Sequence, residues 1–108
     1  MMKMTGYFIT HKTKDGLRKI EERIINVGID YYKRHELFPV YCATYNGNEG
    51  VFIHTNREIN VMELLAFSFS GLVEDEEKID EIERFGKYRC IIDYVCEDDI
   101  TIIKELIS

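Results

Sequence analysis

The sequence predicts an α+β protein, specifically a ferredoxin-like sandwich in which an antiparallel sheet of about four strands carries helices on one face. Strand-like and amphipathic segments alternate in the order β, α, β, β, α, β, and a tight-turn signal joins the middle two strands into a hairpin. Right-handed crossovers fold that order most simply into such a sheet. The 108 residues fit a single α+β domain over 1–108, which would bury roughly two thirds of the surface of the unfolded chain.

The first strand is predicted over residues 4–10, with the sequence MTGYFIT. This stretch is rich in β-formers and short enough for one strand. Because side chains alternate along a strand, Tyr7 and Ile9 should share one face and Phe8 should lie on the other.

A helix is predicted directly after this strand. Its apolar residues recur at spacings of three, four and three, which gives a single buried stripe of Leu17, Ile20, Ile24 and Val27. Asp15 can cap the start of the helix, and Gly28 can end it in a left-handed conformation.

A hairpin is predicted from two strand-like runs, 37–45 and 51–55, that flank the sequence NGNEG. Asn and Gly tolerate the positive φ angles that tight turns require. Pro39 cannot donate a backbone hydrogen bond, so its end of the strand should lie at a sheet edge or a strand start.

The second half predicts one long helix or two shorter ones, then a strand and a terminal element. The first helical pattern covers 56–71, with Asn56 or Asn60 as a cap, and an acidic amphipathic pattern covers 74–86. Residues 88–96, YRCIIDYVC, carry apolar side chains on both faces and predict a largely covered central strand. The last residues, from Asp98 on, predict a short helix or an edge strand.

Composition excludes several classes of protein. No run approaches the ~20 apolar residues of a membrane span, and the first residues lack the pattern of a secretory signal, so we expect a cytoplasmic protein that does not enter membranes. Three cysteines without a CxxC motif argue against a disulfide scaffold or a structural zinc site. We therefore expect reduced thiols and no cofactor.

Charge is distributed unevenly along the chain, whose formal net charge is −6. Residues 1–36 contain 8 basic and 5 acidic side chains, whereas residues 74–108 contain 5 basic and 12 acidic ones. A basic end and an acidic end are expected, and the basic end of one copy could pair with the acidic end of another in a homodimer.

A basic segment covers the predicted strand-to-helix loop and the first helical turn. Free N–H groups at a helix start attract anions, so a phosphate, a carboxylate or an acidic partner could bind there. The alternative is a solvated loop whose charges are balanced by Glu21 and Glu22 one turn on. The candidate anion-binding residues are Lys12, Lys14, Asp15, Gly16, Arg18 and Lys19, with His11 beside them.

The pattern Asp15-Gly16-Leu17, then Ile20 and Ile24, then Gly28-Ile29-Asp30, resembles the opening of ACT domains over residues 7–32. ACT domains are ferredoxin-like regulatory modules that bind an amino acid across a subunit interface. The resemblance implies that Asp15, Gly16 and Leu17 line a ligand. Two features depart from the family: no proline precedes Gly16, and the second helical region is longer.

An acidic segment contains seven carboxylates within residues 74–83, and on a helix they would form a stripe able to meet a basic groove. The alternative is a favourable N-terminal turn on a solvated helix face. In size, acidity and lack of catalytic motifs the chain is similar to small phage-encoded inhibitor proteins. The candidate partner-binding residues are Glu74, Asp75, Glu76, Glu77, Asp80 and Glu81, with Glu97, Asp98 and Asp99 as a smaller patch.

Other functions have weaker signals. Cys42, Cys90 or Cys96 could combine with His11, His35 or His54 as nucleophile and base, but none lies at a predicted helix start or elbow, so we expect no enzyme. No calcium-loop pattern occurs. The run GVFIHT distantly echoes an RNA-binding strand, with Tyr7 and Phe8 on a neighbouring strand, but it lacks the leading basic residue and the pI is near 5.0.

The sequence as a whole therefore predicts a small acidic, non-catalytic protein that works by protein–protein interaction, such as an inhibitor of a partner's machinery. An ACT-like module that binds an amino acid or another small anion at the basic segment is the first alternative. A nucleic-acid-binding domain is the second.

Overall fold

A computed structural model describes residues 3–58 and 90–107, and these form an α+β fold with a five-stranded antiparallel sheet and two helices. The predicted α+β class is confirmed. The sheet has five strands instead of about four, because the C-terminal segment forms a strand of its own. The elements are β1 (Thr5–His11), α1 (Lys14–Val27), α2 (Ile29–Arg34), β2 (Val40–Tyr45), β3 (Asn48–His54), β4 (Cys90–Cys96) and β5 (Thr101–Glu105), with a short 3-10 turn (Glu97–Asp99) between β4 and β5.

The strand order is β4-β1-β3-β2-β5, and every pair of neighbours is antiparallel. The prediction of a covered central strand over 88–96 is wrong for the part that the structure describes. Strand β4 lies at the edge beside β1, with Ile91 and Tyr94 exposed and Val95 buried. Apolar residues on both faces indicate a strand that is covered on both sides, but here several of them lie at a surface.

The helices pack on one face of the sheet. Tyr7 and Ile9 point to that face, as predicted, and they join Ile20 and Ile24 of α1 in one core cluster, with Leu17 and Val27 at its margin. The predicted apolar stripe of the first helix is therefore confirmed. The other buried members of this cluster are Tyr32, Leu37, Val40, Val51, Ile53 and Ile107.

The opposite face of the sheet carries a second cluster, which includes Phe8, Phe52 and Ile100. Phe8 is 1% exposed and Phe52 is fully buried. Ile100 belongs to the connection between β4 and β5, so this connection packs against the sheet. The β4–β5 connection thus covers part of this face of the sheet. Partly buried residues at the margin of the cluster are Met4, Tyr41 and Tyr45.

The connection between β4 and β5 requires a strongly curled sheet. Cys96 pairs with Thr5 and Thr101 pairs with Thr44, so the connection begins and ends beside strands on opposite sides of the sheet. Four strand spacings would measure about 19 Å on a flat sheet. Five residue steps from Cys96 to Thr101 reach at most about 18 Å, and the two pairs also lie at opposite ends of the strands. The two edges must therefore approach each other across the face that holds Ile100.

Helix α1 begins at Lys14, and its cap lies two residues before the predicted one. The structure places Thr13 at the cap, where its hydroxyl oxygen accepts a 3.0 Å hydrogen bond from the Gly16 N–H. Asp15 lies inside the first turn and is not the cap, which corrects the prediction. Both residue types are good caps, and the backbone of Thr13 has the extended conformation that the cap position requires.

Gly28 ends α1, as predicted, and its N–H donates to the Ile24 carbonyl, but its φ of 88° and ψ of 163° are not the predicted left-handed helical conformation. Helix α2 then follows at once and was not predicted. It ends in a Schellman motif, because the N–H of Leu37 donates to the Tyr32 carbonyl at 2.8 Å and the N–H of Glu36 donates to the Lys33 carbonyl at 3.1 Å. The motif places Glu36 in the left-handed region with a φ of 60°.

The predicted hairpin is confirmed, with a shorter turn than expected. Asn46 and Gly47 have φ angles of 49° and 79°, which is the signature of a type I′ turn, and Asn48 already belongs to β3. Pro39 directly precedes β2, as predicted for a strand start. The predicted helices over 56–71 and 74–86 fall almost wholly on residues 59–89, outside the described residues.

Candidate functional site

The basic segment lies at the end of β1 and the start of α1, and it mixes exposed charges with one buried glycine. The structure brings Asp15 and Arg18 together in an ion pair of 3.2 Å between side chains that are 84% and 70% exposed. Exposed pairs of this kind contribute about 0–1 kcal/mol. Gly16 is buried, and the other candidates, Lys12, Lys14 and Lys19, are exposed.

The start of α1 is held by side chains of its own segment. The Thr13 N–H donates to Nδ1 of His11 at 2.9 Å, so the neutral imidazole carries its proton on Nε2. The Thr13 hydroxyl and carbonyl accept from the N–H groups of Gly16 and Leu17. Of the three residues that the ACT resemblance places at a ligand, Asp15 is exposed, Leu17 is partly buried and Gly16 is buried.

The acidic segment, with Glu74, Asp75, Glu76, Glu77, Asp80 and Glu81, lies outside the described residues. The smaller acidic patch, Glu97 to Asp99, forms the 3-10 turn after β4. Each of its three side chains forms a hydrogen bond or an ion pair with another residue of the chain. The Lys3 ammonium pairs with Asp98, which raises the pKa of Lys3 mainly through their hydrogen bond. Glu97 accepts from the Met4 N–H at 2.9 Å, and Asp99 accepts from the Cys96 N–H at 3.2 Å.

Strands β4 and β5, together called the outer strands here, expose most of the large apolar side chains that are exposed in the described part of the chain. Four of the five lie on them, and the fifth is Ile25 of α1. The stretch 90–105, which contains both strands, carries five acidic residues and one basic residue. The exposed apolar residues of the outer strands are Ile91, Tyr94, Ile102 and Ile103.

All three cysteines are free thiols, and two of them, Cys42 and Cys90, lie in environments that disfavour the thiolate. Burial raises the pKa of Cys90 to about 11. Burial also raises the pKa of Cys42, and the nearby charge of Glu21 adds to the effect. A thiolate is the nucleophilic form, so both sulfurs are protonated and inert near neutral pH.

In the described residues, the structure adds no support for a metal site or for a nucleic-acid-binding surface. Within 3–58 and 90–107, no cluster of three or more His, Cys, Asp or Glu side chains could hold a metal ion. Phe8 and Phe52 are buried, so they cannot stack on a base, and Tyr7 is only 9% exposed. Neither described helix is long and apolar enough to cross a membrane.

A pocket of about 420 Å³, called the polar pocket here, lies at the end of β3 and was not predicted. It is far from the basic segment, because His54 and His11 lie at opposite ends of the strands. Residues from the α2–β2 connection face residues from the end of β3. The sequence does not predict this pocket, because Asn56 fits the pattern of a helix cap and Glu36 belongs to no recognised motif. The described residues that line it are Glu36, Phe38, His54, Thr55, Asn56 and Arg57.

Two side chains of the polar pocket are oriented by backbone carbonyls. His54 Nδ1 lies 2.8 Å from the Thr5 carbonyl oxygen and must donate to it, so Nε2 is an acceptor in the neutral ring. The Arg57 guanidinium donates to the His35 carbonyl through Nε and Nη2, both at 3.3 Å. The Lys33 ammonium lies 4.9 Å from the centroid of the Phe38 ring.

Comparison with known proteins gives no family for the chain. No protein-family model matches the sequence, and no significant match is found among curated proteins or solved structures. The resemblances to ACT domains and to phage inhibitors therefore stay predictions.

Proposed function

We propose that the protein is a small acidic, non-catalytic binding protein that covers a basic surface of a partner protein and thereby inhibits the partner. The observation that carries this proposal is the composition of the outer strands. They combine exposed apolar side chains with acidic ones, such as Ile91 and Asp93 on β4. Single exposed apolar residues are ordinary, but their concentration on two linked strands is typical of an interaction surface.

On β5 the contact is made by side chains and not by addition of a strand. The pairing of β5 with β2 is interrupted by a bulge, since Cys42 pairs with Lys104 and Ala43 pairs with Ile102, which leaves Ile103 as the extra residue. A bulge and a lysine are devices that prevent edge-to-edge pairing. Acidic side chains around the apolar ones attract a basic partner and increase the association rate.

The sequence adds the acidic segment to the candidate partner-binding residues. We assign Glu74, Asp75, Glu76, Glu77, Asp80 and Glu81 to the same partner-binding role. Their charge has the same sign as that of the outer strands, so one basic partner could contact both.

We also infer a ferredoxin-like arrangement for β1 to β4, with β5 added beside β2. The order β4-β1-β3-β2, the antiparallel neighbours and the packing of α1 on one face support it. Absence of catalysis is supported by the raised pKa values of the Cys42 and Cys90 thiols.

The test is capture of a partner followed by cross-linking mass spectrometry that maps the contact. We expect cross-links from residues 90–105 to a basic protein, and capture that weakens steeply with salt. Ile103→Lys should reduce capture at least tenfold, while Ile25→Lys should not. Ile25 is a matched control for Ile103, because the two side chains are 51% and 52% exposed.

A second variant tests the acidic segment by replacing Glu76, Glu77, Asp80 and Glu81 with Lys. It should abolish capture without changing the circular dichroism spectrum. The purified partner should lose activity when the parent protein is added and keep it when Ile103→Lys is added. Unchanged capture by both variants would contradict the proposal.

A further inference from the structure

The two edge strands of the sheet differ in how well they are protected against pairing with another strand. Strand β5 carries a bulge at Ile103 and the basic residue Lys104. Strand β4 has neither device. All seven of its residues pair with β1 without a register shift, and its sequence, CIIDYVC, contains no proline and no basic residue. Proteins normally block an exposed edge with such devices, so the edge of β4 is open to an additional strand.

The backbone groups of β4 alternate between β1 and the open edge. The Glu97 N–H donates to the Met4 carbonyl at 2.8 Å, and these two residues continue the register of the β1–β4 pair. Hydrogen-bonded pairs alternate with non-hydrogen-bonded pairs in an antiparallel ladder, so every second residue before Glu97 also bonds to β1. Those residues are Val95, Asp93 and Ile91. The N–H and C=O groups of Tyr94 and Ile92 therefore point away from the sheet.

Asp99 closes one end of this edge and leaves the middle open. Its carboxylate accepts from the Cys96 N–H at 3.2 Å, and Cys96 is the next residue after Tyr94 whose N–H points outward. No hydrogen bond reaches the outward backbone groups of Ile92 and Tyr94 from any residue within 3–58 or 90–107. Two donors and two acceptors are thus available there, which is enough to orient a short added strand.

The side chains beside the open edge leave room for a neighbour on both faces of the sheet. Tyr94 is 58% exposed, and Ile91, on the opposite face, is 45% exposed. The Tyr94 ring is nevertheless fixed. It meets the Tyr7 ring edge to face with 5.2 Å between the centroids, and its hydroxyl donates to the Thr5 hydroxyl oxygen at 2.9 Å. An aromatic side chain that is already ordered loses little conformational entropy on binding.

The charge of Asp93 determines which kind of strand can bind. Asp93 is exposed and forms no ion pair with another described residue. A second copy of the chain that used both Ile92 and Tyr94 would place the two Asp93 side chains directly opposite each other. Like charges at that position destabilise a strand pair, whereas a lysine or arginine there would stabilise it. The edge therefore disfavours a second copy and favours a basic strand.

We propose that the partner contributes an extended basic segment, which pairs antiparallel with residues 91–95 of β4. Two residues of the segment bond to the backbone of Ile92 and Tyr94, and the residue between them is a lysine or arginine opposite Asp93. Antiparallel pairing continues the pattern of the sheet and is the more stable arrangement. This pairing rests on the proposed function, because it identifies the part of the partner that binds.

The experiment titrates the full chain with a seven-residue peptide of alternating lysine and valine, which begins and ends with lysine and has blocked termini. Backbone amide shifts and amide hydrogen exchange are followed by NMR. The peptide should shift the amides of residues 91–95 and slow the exchange of the Ile92 and Tyr94 amides. A peptide of alternating glutamate and valine should bind at least tenfold more weakly, because it repels Asp93.

Two modified probes test the backbone contact at constant charge and sequence. Methylation of the valine nitrogens removes the donors that face β4 when the lysines lie on the face of Asp93, and it should weaken binding at least tenfold. Methylation of the two internal lysine nitrogens that flank the central valine alters the far edge of the peptide and should leave binding within about twofold. Equal binding of the two modified probes would overturn the proposal.

Tyr94→Pro and Tyr94→Ala form a matched pair on the protein. Both remove the ring, but only proline removes the outward N–H, and that N–H takes no part in the ladder with β1. Tyr94→Pro should bind the lysine–valine peptide at least tenfold more weakly than Tyr94→Ala. Asp93→Lys keeps every backbone group of the edge and should also lose binding at least tenfold. Full binding by Asp93→Lys would contradict the assigned ion pair and overturn the proposal.

Amide exchange in the free protein tests whether the edge is open. The amides of Ile92 and Tyr94 should exchange at least tenfold faster than those of Ile91 and Asp93, which bond to β1. Slow exchange of Ile92 and Tyr94 would overturn the proposal. Protection that is independent of protein concentration would assign the edge to another segment of this chain, and protection that grows with concentration would assign it to a second copy.

Partner capture separates this inference from the proposed function. If Ile103→Lys reduces capture while Tyr94→Pro and Tyr94→Ala capture equally, the proposed function stands and the strand pairing is wrong. If Ile103→Lys has no effect, the proposed function fails at its own surface, while the peptide titration still decides whether β4 accepts a strand. The absence of amide shifts with the lysine–valine peptide up to about 10 mM would overturn the strand pairing.

Discussion

The imidazole of His11 packs against the Cα of Gly16, in the space that a β-carbon would occupy in any other residue. His11 is the last residue of β1 and Gly16 lies in the first turn of α1, so this contact sets how closely the helix approaches the sheet. The glycine is required by the close approach and not by an unusual backbone conformation.

Gly16→Ala should therefore destabilise the protein, although Gly→Ala inside a helix usually stabilises by about 1 kcal/mol. We expect a loss of about 1–3 kcal/mol, as for overpacked cores, measured by urea unfolding. In a His11→Ala background the same change should cost much less, because the ring is gone. Equal costs in the two backgrounds would show that the contact is not the cause.

The identity of the helix cap gives a second prediction. Thr13→Ala should cost about 1 kcal/mol, because the Gly16 N–H loses its acceptor. Asp15→Ala should cost less, since Asp15 contributes only an exposed ion pair with Arg18 and a favourable charge near the helix start. Thermal unfolding of the two variants under one set of conditions decides the order. A larger loss for Asp15→Ala would restore Asp15 as the cap.

Glu21 gives a pH-dependent prediction. Burial raises its pKa, and the charge of Glu49 adds to the shift. The folded state then binds the proton more readily, so the contribution of this group to stability is present below the unfolded pKa of about 4.3 and is lost as pH rises through the higher folded value. Glu21→Gln should therefore increase stability at pH 7 relative to the parent and have little effect at pH 4.

The matched control for that prediction is Glu22→Gln, which removes the same charge from an exposed neighbour on the same helix. Subtracting its effect at each pH corrects for the change in net charge. A Glu21→Gln effect that is constant from pH 4 to pH 7 would contradict the assigned shift.

The thiols give a fourth prediction. With a pKa of about 11, Cys90 is a thiolate in on the order of one molecule in a thousand at pH 8. Iodoacetamide should therefore modify Cys90, and the 4%-exposed Cys42, far more slowly in the folded protein than in urea. Peptide mapping by mass spectrometry after timed quenching gives the rate at each site. Rapid modification of Cys90 in the folded state would remove one support for a non-catalytic role.

Local patterns in the sequence predicted the elements that local physics determines. The stripe that contains Ile20 and Ile24 specifies α1, because the helical period places both residues on one face. Asn46 and Gly47 specify the hairpin, because a type I′ turn needs positive φ at two successive residues. Each of these signals lies within a few residues of the structure it specifies.

Features set by distant contacts were not predicted. Helix α2 has six residues and is held by the burial of Tyr32, which depends on the sheet beneath it. The outer position of β4 depends on which strands flank β1, and the pattern of Ile91 and Ile92 does not encode that. The polar pocket joins Glu36 with Arg57, which lie far apart along the chain and meet only after the sheet forms.

The pairing of the outer strands also governs when the fold can form. Thr5 of β1 pairs with Cys96, and Thr44 of β2 pairs with Thr101, so both pairs close very long loops. Contacts of such long sequence separation slow folding, because chain entropy is lost before they form. During synthesis, β1, β2 and β3 must wait for residues 90–105 to leave the ribosome. We expect a nascent chain stalled before β4 to expose β1 and β2 to chaperones, and the emergence of residues 90–105 to be the step that commits this fold to its native state.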